Sequence, residues 1–188
     1  MQQVKYIVKY LISLVSEPEQ TWQFLSKGDV DESKPDFVQT NYYLPLMGAI
    51  AVGLFILSGW GLSFDIEKAM KAAVNFLAAY FAGPFLAQAV VKIVNDKWFQ
   101  INLTETKLNV FVSYAMSFLM VIQLFSAAFP TVKFIQFSAL YLFYIVWCAS
   151  DQFFGIIETN RWKFTTAGFF IIWASPKVIQ MLMSLMIR

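Results

Sequence analysis

The sequence predicts an all-α fold: a polytopic membrane helical bundle with five transmembrane helices, preceded by an amphipathic helix and a second short helix. Three observations predict it. Hydrophobic residues make up 59% of the 188 and charged residues only 14%, with a mean hydropathy of +0.59, whereas a soluble domain carries about 25% charged residues. The apolar residues gather in runs of bilayer length, about 20 residues for a helix crossing a hydrocarbon core. Lys177 alone interrupts such a run with a charge.

Residues 1–40 read as a cytoplasmic N-terminal segment. Val4, Ile7, Val8, Leu11, Ile12 and Val15 recur at three and four, with Lys5 and Lys9 on the other side, the period of an amphipathic helix. It is too short to span, so it is expected to lie in the membrane interface or to pack on the bundle end. Ser16-Glu17-Pro18-Glu19 places a capping serine and a first-turn proline before a helix over 19–27 that carries Trp22, Phe24 and Leu25. Residues 28–40 read as a polar linker with Asp29, Asp31, Glu32 and Asp36 against Lys34. No cleavable signal peptide is read at the start.

Residues 41–188 read as the bundle, with spans at about 42–61, 72–94, 108–129, 132–150 and 165–187. Tyr42, Tyr43 and Trp60 flank the first span, where amphipathic rings favour the headgroup region. Pro84, after Gly83, predicts a kink in the second. Ala72, Asn75, Ala79, Ala82 and Gly83 share a sector of roughly 100° on that helix, a packing face, because small residues let membrane helices approach closely. The third span carries Ser113, Ser117 and Gln123 and ends at Pro130. The fourth follows in a tight hairpin, and Tyr141, Tyr144, Cys148 and Asp151 fall on one side that is expected to face protein. A loop over 151–163 leads to the fifth span. There Pro176 predicts a second kink, and Lys177, Gln180, Ser184 and Arg188 form a polar edge. A kinked span and a short span followed by an interfacial helix both fit, and the shortness of 165–175 favours the first.

A lysine at a helix centre costs roughly 3 kcal/mol on insertion scales, so Lys177 is expected to face protein or a water cavity. Counting from the helix ends brings Lys177, Gln123 and Tyr144 near the membrane middle, and together with Gln180 they form a candidate interior polar cluster. Lys177 would attract an anion or headgroup, while Gln123 and Tyr144 supply hydrogen bonds. The structural alternative is that Lys177 snorkels or bonds the carbonyls freed by Pro176. The chain has no histidine and one cysteine, Cys148, which removes the usual general base, the His-dependent triads, His-based zinc sites and any internal disulfide. No enzyme activity, cofactor, metal site or nucleic-acid partner is expected, and the net charge of +2 is too small to argue for nucleic acid.

Nine Lys and Arg from Lys5 to Lys163 fall on one side of this topology, against Lys68, Lys71, Lys133 and Arg188 on the other. That asymmetry predicts a cytoplasmic N terminus and an external C terminus; the membrane is expected to be a bacterial inner membrane. The glycosylation triplet at Asn102 then falls on the cytoplasmic side and carries no weight.

Most of the chain resembles a Yip1-domain membrane protein in a short prokaryotic-type form. The resemblance is carried by Ser16-Glu17-Pro18 and Trp22 ahead of the first span, Tyr43-Leu44-Pro45-Leu46 at its start, Gly83-Pro84 in the second and Tyr114-Ala115 in the third. Asp151, Gly155 and the basic segment 161–163 extend it. It implies five spans, a cytoplasmic N terminus and no enzymatic activity. Eukaryotic relatives bind small GTPases and act in vesicle traffic, but this chain shows no feature that carries GTPase binding over. The expected function is a non-enzymatic membrane scaffold that recruits a protein through its N-terminal segment. The alternative is an oligomeric small-solute or ion permease built on the cluster around Lys177. Expected partners are the lipid bilayer, a protein at the N-terminal segment and further copies of the chain.

Overall fold

The computed structural model describes residues 2–28, 31–61, 63–99, 101 and 103–186. Asp29, Asn102 and Arg188 therefore lie outside the described residues. Among the described residues there are seven helices and no strand: α1 (Gln2–Ser16), α2 (Pro18–Ser26), α3 (Pro35–Gly59), α4 (Ile66–Phe99), α5 (Glu105–Ala128), α6 (Lys133–Gln152) and α7 (Glu158–Met186). The last five are long and apolar enough to cross a membrane, so the chain is a multi-pass membrane protein. They alternate in direction. One end of the bundle, called here the near end, gathers Pro35, Phe99, Glu105, Gln152 and Glu158.

The first span extends back to Pro35, so the boundary near residue 40 falls inside α3. Pro35 suits the first helical turn, where its missing N–H has no intrahelical partner to lose. The polar residues that follow are accommodated by neighbours: Gln39 Nε2 donates to Asn109 Oδ1 at 3.1 Å and Ser113 Oγ at 3.0 Å. This extension also corrects the expected headgroup position of Tyr42 and Tyr43. Both are buried, Tyr42 Oη 2.7 Å from Ser117 Oγ and Tyr43 Oη donating to the Tyr80 carbonyl at 2.7 Å. Trp60, at the other end of α3, is exposed.

α5 is the axis of the molecule. Every residue from Val110 to Met120 is buried, as a helix apolar all round must be. α3, α4 and α6 cover part of that surface, and the N-terminal helices cover the rest. α1 runs from Phe37 and Tyr42 near one end to Tyr141, whose hydroxyl donates to the Val15 carbonyl at 2.7 Å. α2 then returns along α6, where Trp22 is fully buried against Phe111 and Phe153 and donates its Nε1–H to the Ile145 carbonyl at 3.1 Å. Of the two placements expected for α1, packing on the bundle is thus the one realised by Tyr10 and Leu14. Val4, Val8, Ile12 and Val15 remain exposed along its outer edge, next to Lys5 and Lys9. Ser16 does not cap α2. It ends α1 with its hydroxyl bonded to the Ile12 carbonyl, while Glu17 holds the N-cap position and Pro18 the first turn.

α6 departs from the expected uniform span. Its first eight residues, Lys133–Leu140, form a 3₁₀ helix with no buried residue, and only Tyr141–Gln152 is α-helical. Runs this long are uncommon for 3₁₀ geometry, and few neighbours constrain this one. The expected loop over 151–163 shrinks to the residues between Gln152 and Glu158, turned by Gly155 at φ +63°. α7 is one continuous helix through Pro176, in agreement with the single long span.

Candidate functional site

α4 and α7 form the most extensive helix pair. Of the small-residue sector, Ala79 and Gly83 are buried in the bundle, and Ala72, Asn75 and Ala82 are half-buried. Asn75 Oδ1 is buried and accepts no hydrogen bond. Pro84 sits within continuous helix, as Pro176 does.

A cavity of about 640 Å³ lies between α5, the 3₁₀ part of α6 and α7, with Tyr80 of α4 at its floor. Its α7 wall carries Phe169, Phe170, Trp173, Pro176, Lys177 and Gln180, and its α5 wall Leu119, Ile122, Gln123 and Ser126. Three of the four residues of the expected polar cluster therefore meet at one cavity. Gln180 Nε2 donates to Gln123 Oε1 at 3.2 Å and ties α7 to α5 there. Lys177 Nζ lies 4.2 Å from the Trp173 ring centroid, one helical turn away, an attractive cation–π contact. Among the described residues the ion pairs join Lys34 to Asp31, Lys71 to Glu67, Lys92 to Glu105 and Arg161 to Asp151. Among the described residues Lys177 thus has no carboxylate partner, nor is it hydrogen-bonded to the carbonyls freed by Pro176.

Tyr144 does not join them. It is 42% exposed on the part of α6 that faces α2, beside Tyr141 and Cys148. Tyr144 sits eight residues before Gln152 and Lys177 nineteen beyond Glu158, so the two differ in depth by roughly 16 Å at 1.5 Å per residue, and α2 occupies the Tyr144 side of α6. The expected protein-facing stripe on α6 holds for Cys148, which is buried, while Asp151 turns to Arg161. Sequence reasoning missed Trp173 and Gln136, and the first was legible as the aromatic one turn before Lys177.

A second groove of about 630 Å³, lined by Leu11, Val15, Phe118, Val121, Phe125 and Ile135 among others, flanks the other side of the 3₁₀ helix. It is almost wholly apolar. Tyr6, Tyr10, Tyr42 and Tyr114 cluster where α1 meets α5. Tyr10 Oη donates to Glu32 Oε1 at 3.2 Å, and burial with the nearby Glu32 charge pushes the Tyr6 hydroxyl up to about 12 and raises Tyr10 as well. Among the described residues, no three carboxylates or cysteines come together as a metal group would require.

Comparison with family models, with curated proteins and with solved structures finds no match to this chain.

Proposed function

We propose that the protein acts without catalysis, as a membrane binding protein whose ligand lies in the groove between α5, α6 and α7. The observation that carries this reading is the convergence of Gln123, Lys177 and Gln180 on one cavity of about 640 Å³, within the roughly 300–1,000 Å³ typical of small-molecule sites. A cation with no carboxylate partner among the described residues, set on an apolar wall, is suited to an incoming anion. Phe137, Leu140 and Phe170 line the groove and are themselves 62%, 62% and 57% exposed. The groove therefore opens on the flank of the bundle, where lipid would lie. The filled axis of α5 favours binding at that flank over conduction of a solute along the axis.

Native mass spectrometry of the protein released from detergent tests this reading. A small molecule retained by the wild type and lost when Ala139→Trp fills the groove supports it. Identical spectra overturn it.

The scaffold reading is favoured by a different observation: α1 is held on one face and presents Val4, Val8, Ile12 and Val15 beside Lys5 and Lys9 on the other. A protein partner would engage that fixed edge. Val8→Glu and Ile12→Glu are the variants that test it by cross-linking, because removing the whole segment would also uncover α5. The same proposal includes a Yip1-type assignment and a bacterial inner membrane, which rest on the resemblance, and a cytoplasmic N terminus, supported by the Lys and Arg distribution. Pro18, Trp22, Tyr43, Gly83 and Tyr114, which carry the resemblance, all lie buried in the bundle.

A further inference from the structure

The groove around Lys177 has an ordered polarity that its composition alone does not reveal. Along α7 its wall passes from Phe169 and Phe170 through Trp173 to Lys177 and Gln180. Along α5, which runs parallel to α7, it passes from Leu119 and Ile122 to Gln123 and Ser126. The 3₁₀ segment runs the opposite way and presents Gln136 first, then Phe137, Ala139 and Leu140. Three separate elements thus place their polar residues at the end of the groove away from the near end, and their apolar residues toward the near end. A ligand that satisfies both ends is an amphiphile.

From this order we infer that the occupant is a monoanionic amphiphile, a long-chain carboxylate, with its charged group beside Lys177 and its tail along Phe169 and Phe170. The inference rests on the groove being the binding site. Among the described residues Lys177 is the only charged one lining it, so one negative charge balances it. An alkyl phosphate monoester, at about −1.5 to −2 near neutral pH, would leave charge unmatched against an apolar wall. The α7 wall from Phe169 to Gln180 rises about 16 Å at 1.5 Å per residue. That length suits an extended apolar tail reaching from Lys177 toward Phe169 and Phe170.

Quenching by brominated amphiphiles reads the site directly, because Trp173 lines the groove and Trp173→Phe identifies its share of the signal. Purified full-length protein in a nonionic detergent is titrated with a dibromo long-chain carboxylate, its methyl ester and the corresponding alkyl phosphate. The expected result is saturable, Trp173-dependent quenching by the carboxylate, at least tenfold tighter than by the ester or the phosphate. Lys177→Gln should bring the carboxylate to the ester's level, and Lys177→Arg should keep the preference. Lys177 is exposed, and unchanged circular dichroism confirms that these variants fold. Equal binding of carboxylate and ester, or tighter binding of phosphate, overturns the inference about the ligand while leaving the groove as a binding site. No Trp173-dependent quenching by any of the three overturns the inference, and if the Ala139→Trp comparison also shows no retained molecule, the groove reading falls with it.

Discussion

Gly83 of α4 and Pro176 of α7 meet at the crossing of the two longest spans. A Cβ added to Gly83 would lie 3.5 Å from both the Cα and the N of Pro176. The residue that lacks a side chain faces the residue that lacks an amide hydrogen, and two backbones approach with nothing between them. Membrane helices associate largely through such packing, since lipid supplies no hydrophobic drive between them.

A contact of 3.5 Å is ordinary for a methyl group, so Gly83→Ala is expected to leave stability nearly unchanged. Gly83→Leu has no space to enter and should cost about 1–3 kcal/mol, the range for overpacked sites. Unfolding in mixed detergent measures both. Equal stability of the two variants would show that the helices can separate freely here.

Trp22 fastens the N-terminal hairpin. Its ring is fully buried and its N–H reaches the Ile145 carbonyl. Trp22→Ala should cost about 3–5 kcal/mol as a large-to-small change, and Trp22→Phe about 1 kcal/mol for the lost hydrogen bond. Protease cleavage within residues 2–28 should rise in the same order. If cleavage stays at the wild-type rate in Trp22→Ala, the hairpin is held by other contacts.

Tyr6 makes that attachment sensitive to alkali. Its hydroxyl, 3.4 Å from that of Tyr114, is pushed from an ordinary value near 10 to about 12 by burial and by Glu32. The folded state therefore keeps a proton that the unfolded chain releases near 10. Stability from this group is complete below pH 10, falls between 10 and 12, and is gone above; Tyr10 adds to the same slope. Protease release of α1, followed against pH, should accelerate across that window in the wild type and less steeply in Tyr6→Phe. Identical slopes would remove Tyr6 as the cause.

The five spans were legible because apolar length is a direct physical requirement of the bilayer, and Lys177 with Gln123 and Gln180 was legible from depth. Burial direction was not. Tyr42 and Tyr43 look like interfacial aromatics in one dimension, and only Ser117 and the Tyr80 carbonyl, which accept them, place them inside. Tyr144 lies closer to the near end than Lys177 and faces α2, a helix docked through an indole bonded to a carbonyl 123 positions away. The 3₁₀ stretch of α6 left no signal in composition, since its residues suit an α-helix equally well.

Asp151 and Arg161 close the turn from α6 to α7 as an ion pair in which Arg161 is only 17% exposed and also lies 5.6 Å from the Trp147 ring. Removing one partner leaves the other charge poorly solvated, so Asp151→Asn is expected to cost about 1.5–3 kcal/mol, the worth of a hydrogen bond to a charged group. Arg161→Lys keeps the charge but loses the planar fork and its stacking, and should not be silent. The double variant Asp151→Asn, Arg161→Gln should recover part of the loss, because no unpaired charge remains. A double-mutant cycle decides the matter: a coupling of about 1 kcal/mol or more is expected, while a coupling near zero would make this pair equivalent to an exposed surface ion pair.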